Sequence, residues 1–146
     1  MKIFIGADHA GFELKGKLIP FLKELGHDVE DLGPDVYRQD DDYPDYIRPV
    51  AEKVSLDESA KGVVLDKSGQ GNVMCANRVK RVRAAVYYGG NLEIVRLSRQ
   101  HNDSNILSIG AAFVSLGEAK EAVRLFLETP FSGDERHVRR IKKLDA

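Results

Sequence analysis

The sequence has almost no cysteine: Cys75 is the single one in 146 residues. One thiol cannot form an internal disulfide, so the expected setting is a reducing compartment, the cytoplasm. Long apolar runs are missing as well. The opening MKIFIGADHAGF breaks at Gly6-Ala7-Asp8, too soon for the core of a signal peptide. No stretch approaches the ~18 apolar residues that span a membrane. Charge of one sign is not in excess either, with 22 Lys+Arg against 23 Asp+Glu. That balance points to neither nucleic acid nor membrane as a partner. There is no internal repeat, low-complexity segment or linker. One domain over residues 1–146 is expected, with 42% hydrophobic residues to build its core.

What is present is alternation. Residues 2–6, 27–32, 61–66, 82–88 and 105–109 read as strands. Between them, apolar residues at Phe12, Leu14, Leu18, Phe21, Leu22 and Leu25 follow a helical period, closed by Gly26. Pro20 inside this helix should kink it or cost a hydrogen bond. Further helices are expected from Pro44 to about Ser55, over 71–78, 91–100 and 116–128, and in the basic segment HVRRIKK. Apolar strands alternating with helices imply a three-layer α/β/α domain, Rossmann-like, around a five-stranded parallel sheet. Ligands of such folds bind beyond the carboxyl ends of the strands. The residues that follow each strand are therefore the ones to examine.

The stretch VVLDKSGQGNVMCANR, residues 63–78, runs from a strand through a glycine turn into a helix. Backbone N–H groups there can hold an anion or a reacting oxygen. SGQG lacks the full dinucleotide and P-loop fingerprints, so Gly69 and Gly71 are equally readable as tight-turn residues. Asp66 at the strand's end is a catalytic base, a phospho-acceptor or a polar cap on the turn. A phospho-acceptor domain is disfavoured: Ala7, not a second acid, neighbours Asp8, and Gly110-Ala111 stands where a lysine would follow strand five. Asp8 fits a helix N-cap or a ligand contact, and His9 suits phosphate or hydroxyl contact. His101 sits in the polar segment SRQHNDSN, where Asn102 and Asp103 could orient it or cap a turn. Arg136 and Arg140 share a helical face, as a phosphate site or as a solvated basic surface. The run Asp40-Asp41-Asp42 reads as solvated loop, with metal binding as the lesser alternative.

Taken together, GADHAGFELK (6–15), DYP (42–44), SGQG with CANR (68–71 and 75–78), LSRQHNDSNILSIGA (97–111) and ERHVRRI (135–141) resemble the ribose-5-phosphate isomerase B family. That family includes the galactose- and allose-6-phosphate isomerase subunits. The likeness covers essentially the whole chain in order. It implies a homodimer or homotetramer that isomerises an aldose and a ketose phosphate through a cis-enediol, with no metal or other cofactor. By position, His101 would open the sugar ring, with Asn102 beside it. Asp8 would contact hydroxyls and Tyr43 would lie near the ring. His9, Arg136 and Arg140 would bind phosphate, the arginines reaching across the dimer. Ser68 and the N–H groups from Lys67 to Gly71 would hold the enediolate oxygen.

There are departures. Where many members have a cysteine base this chain has Asp66, and where others have a glutamate it has Asn72. Asp66 is the replacement expected to move the proton, since Cys75 lies a turn into the helix. Some galactose-6-phosphate isomerase A subunits also have aspartate here and work with a second, different subunit. Ala112 stands where an arginine often helps to hold phosphate, and Lys67 where a glycine is usual. Lys67 either restores that positive charge or obstructs the site.

Overall fold

A computed structural model of the chain describes residues 1–146. The elements alternate in the expected order: β1 (Lys2–Ala7), α1 (Phe12–Glu24), β2 (Asp28–Asp31), α2 (Pro44–Leu56), β3 (Lys61–Asp66) and α3 (Gln70–Ala76). Then come β4 (Ala84–Tyr87), α4 (Glu93–Gln100), β5 (Ile106–Gly110), α5 (Leu116–Glu128) and α6 (Glu135–Lys142). The strands form one five-stranded sheet in the order β2-β1-β3-β5-β4. Every neighbouring pair is parallel.

The strands are apolar along their whole length because both faces are covered. Side chains alternate across the sheet. Ile3, Ile5, Ala7, Val63, Leu65, Leu107 and Ile109 therefore enter one core, against Leu18 and Leu22 of α1, Val95 of α4 and Phe126 of α5. Phe4, Val64 and Ile106 point the other way, against Ile47, Val50, Ala51 and Val54 of α2 and Cys75 and Ala76 of α3. Leu18 and Leu22 are fully buried, and truncating either to alanine should cost about 2–5 kcal/mol.

α1 ends as its sequence requires. Gly26 has φ +91°, and the N–H groups of Gly26 and His27 donate to the carbonyls of Lys23 and Leu22, which closes the last turn. Pro20 lies inside α1, which continues past it to Glu24. Its cost is local: Pro20 has no N–H to give the carbonyl four residues back. α2 carries Pro49 in the same way, a feature the periodicity did not single out. β4 begins two residues later than expected, at Ala84. The preceding Arg83 instead exchanges backbone and side-chain bonds with Asn105 and with the carbonyls of Asn102 and Asp103.

No helix is long and apolar enough to cross a membrane.

Candidate active site

The carboxyl edge of the sheet gathers Asp8, His9, Tyr43 and the turn from Asp66 to Gly71. Close backbone packing brings the first of these to the last. The N–H of Asp8 donates to the carbonyl of Leu65 at 3.2 Å. A Cβ on Gly11 would come within 2.5 Å of Leu65, so only glycine lets the start of α1 settle on the end of β3. Asp8 Oδ1 accepts from the N–H groups of Ala10 and Gly11 at 2.9 and 3.2 Å. It braces the turn ahead of α1, whose N-cap is Gly11. Tyr43 lies over the glycine turn, its ring against Gly71.

Asp66 is buried, 5% exposed. Its Oδ1 accepts from the N–H of Gly69 and its Oδ2 from the N–H of Asn72, the latter at 3.2 Å. It therefore does cap the turn, and the turn requires it: Gly69 sits at φ +81° with its carbonyl held by Ser108 Oγ at 2.8 Å. A carboxylate has about four lone-pair sites, so two remain for a ligand. Burial pushes the Asp66 carboxyl above its ordinary value; the bonds from Gly69 and Asn72 pull it back, and the nearby Asp8 pushes it up again. Asp8 is raised too, again mainly by burial. Two partly desolvated carboxyls thus share one edge, the setting in which an aspartate becomes a stronger base.

The N–H of Gly69 is committed to Asp66, and that of Gln70 donates weakly to Ser68 Oγ at 3.4 Å. The N–H groups of Ser68 and Gly71 make no bond within the protein, so both are open to a ligand oxygen. Lys67 is exposed. Its carbonyl accepts from the N–H of Ala112 at 3.1 Å, which stands the lysine beside the position lacking an arginine. Cys75 is buried and its thiol is pushed up by that burial, which suits packing rather than proton transfer.

The remaining candidates lie at the other end of the sheet. α4 leaves the carboxyl edge after β4 and returns, so His101 caps it at the amino edge. That edge is marked by the bond from Gly62 N–H to the Asn105 carbonyl at 2.8 Å. α6 docks there as well: the N–H of Ser132 donates to the Gln100 carbonyl, and His137 stacks on His101. Arg136 and Arg140 are exposed on α6. Asp103 has a structural task, pairing with Arg99 at 2.8 Å and Arg83 at 3.3 Å. From Gly62 to Asp66 the chain climbs four residues of β3, about 13 Å at ~3.3 Å per residue. Within one chain, Asp66 and His101 therefore lie at opposite edges of the sheet.

Two residues were undervalued in the sequence. Asp41 is not solvated: its side chain is 4% exposed and bonded to His9. His137 is 6% exposed, and burial followed by the neighbouring His101 holds it below the ordinary histidine value. No local pattern marked either one; only its partner does. Asp8, His9 and Asp41 are also residues of metal-ligand types, with one donor atom of each within 4.8 Å of the others.

A family model described as Ribose/Galactose Isomerase matches residues 3–144. Ribose-5-phosphate isomerase B of Mycobacterium leprae is 39% identical over 141 residues, 97% of this chain and 86% of that protein. Among solved structures, ribose-5-phosphate isomerase B of Clostridium thermocellum superposes with a TM-score of 0.93 at 41% identity, covering 99% of this chain and 95% of that one. The Mycoplasma genitalium enzyme with bound ribulose 5-phosphate superposes with a TM-score of 0.93 at 38% identity, covering 98% and 93%.

Proposed function

The chain belongs to the ribose/galactose isomerase family, and from that premise we propose that it interconverts ribose 5-phosphate and ribulose 5-phosphate with Asp66 as the base. The carrying observation is the buried Asp66 carboxyl beside a glycine turn with open N–H donors. A relative's structure that holds ribulose 5-phosphate supports the choice of sugar.

The proposed reaction runs in three stages. His101 of a second copy moves a proton between the ring oxygen and the C1 hydroxyl and opens the furanose. Asp66 takes the C2 proton; the electron pair forms the C1–C2 double bond and charge passes to the C1 oxygen. The N–H groups of Ser68 and Gly71, with Ser68 Oγ, hold that oxygen as its charge develops. Transfer of the C2 hydroxyl proton to the C1 oxygen, through the cis-enediol, and return of the proton held by Asp66 to C1 give the ketose, with its carbonyl at C2. Asp8 holds the sugar hydroxyls, Tyr43 closes over the ring, and His9 takes the phosphate with Arg136 and Arg140 of the second copy. Asn102 orients the ring-opening histidine. No step requires a metal.

The separation of the two half-sites supports the homodimer as the working unit. Proton transfer needs heavy atoms about 3 Å apart, and two copies packed so that one chain's carboxyl edge meets the other's amino edge satisfy this twice. Lys67 beside Ala112 favours a second reading, a different sugar phosphate or a distinct partner subunit, because the charge that meets the phosphate is moved.

Incubation of the purified protein in D₂O with ribose 5-phosphate, followed by proton NMR, tests the proposal. Deuterium entering at C2 with ketose appearing is expected. Silence there with exchange on galactose or allose 6-phosphate would transfer the activity to another sugar. Silence with all three would favour a non-catalytic sugar-phosphate-binding role, a partner-dependent subunit or an untested sugar.

A further inference from the structure

The loop between β2 and α2 holds a residue whose task is visible only in three dimensions. Asp41 Oδ1 accepts from the backbone N–H of His9 at 3.1 Å and lies 2.7 Å from His9 Nδ1. One oxygen thus fixes both the backbone and the ring of the same histidine, 32 residues away in sequence. A contact of 2.7 Å has the length of a charge-assisted hydrogen bond. With Nδ1 engaged, Nε2 is the nitrogen left to meet a ligand. Tyr37 stands edge-on to the ring at 6.4 Å between centroids. The other oxygen, Asp41 Oδ2, is buried with no partner in the protein, so its neutralisation falls to the imidazolium.

We propose that Asp41 is a positioning residue for His9, clamping the imidazole through Nδ1 so that its Nε2–H is presented to the anionic group of the ligand. This deepens the sugar-phosphate reading and rests on it for the identity of the anion. It also gives the acidic loop a purpose: a negative charge there would repel phosphate if it faced the ligand directly, but spent on His9 it becomes the support of a cation. The charged groups around the ring are consistent. The Asp41 bond is the main cause that raises His9 above its ordinary value, and Asp8 and Asp40 add to it against some burial. The imidazolium therefore persists to higher pH than that of an ordinary histidine.

The test uses the full-length protein, inorganic phosphate and NMR of the His9 ring. In Asp41→Asn, which keeps an acceptor and loses the charge, the His9 titration midpoint is expected to fall toward the ordinary value of 6.5. Phosphate affinity should fall by about three- to tenfold, and with ribose 5-phosphate the loss should appear in KM with kcat nearly unchanged. Asp41→Glu should recover part of both. A His9 midpoint that stays put in Asp41→Asn, or phosphate affinity that does not change, overturns the assignment. If both move as expected while the wild-type protein ignores ribose 5-phosphate, the clamp stands and the choice of ribose 5-phosphate as substrate fails.

Discussion

The imidazole of His101 lies flat on that of His137, ring centroids 4.4 Å apart and planes 19° from parallel. This pair joins the end of α4 to α6 at the amino edge, opposite the edge that holds Asp66. Two inactive variants, Asp66→Asn and His101→Ala, should therefore rescue one another when unfolded and refolded together. Random pairing leaves half the dimers mixed, each with one intact composite site, so roughly a quarter of wild-type activity should return. Assay of the mixture against each variant refolded alone checks this, and no recovery would confine the site to one chain.

Asp66 has two tasks that a substitution separates. Asp66→Asn presents an amide N–H to one of two buried backbone donors, and should cost about 1–3 kcal/mol of stability. If it is also the base, kcat should fall at least ~100-fold, with ribulose 5-phosphate affinity within about tenfold. Thermal melts, calorimetric titration and turnover read the three separately. Lost stability with intact turnover would leave Asp66 as a cap alone.

Asp66 is held above its ordinary value of 3.8, first by burial and then, after the opposing backbone bonds, by Asp8. The acid limb of kcat/KM should therefore be displaced upward from 3.8, because the base works only when ionised. Stability runs the other way. A carboxyl raised in the folded state contributes stability fully present below its unfolded value and lost as pH rises through its folded value. A pH–rate profile beside melts of wild type and Asp66→Asn checks both signs. An acid limb at the ordinary aspartate value would remove Asp66 as the base.

Chelation should leave turnover unchanged. Asp8, His9 and Asp41 bring metal-ligand atoms together, but Asp41 Oδ1 is already committed to His9 and Asp8 Oδ1 to two backbone donors. Dialysis against EDTA followed by assay, with and without added divalent cations, is the measurement. A loss restored by a cation would assign these three as ligands.

Some of this was local and therefore readable. The apolar runs at 61–66 and 105–109, the helical period from Phe12 and the glycine past Leu25 determine elements through neighbours in the chain, and they recur in β3, β5 and α1. The order of β and α units also predicts a covered parallel sheet, and so puts Asp66 at a ligand edge. Pro20 reads as a kink in α1 or a lost hydrogen bond; it and Pro49 both lie in helices whose packed faces outweigh the missing bonds. The tertiary structure alone decided what Asp41 and His101 face. A run of three aspartates is written the same way whether its middle member meets water or a histidine 32 residues away. Likewise the direction of α4, returning from the carboxyl edge, carries His101 away from Asp66. Periodicity reports which side of an element is apolar; the partner of a buried charge is set by the path of the rest of the chain.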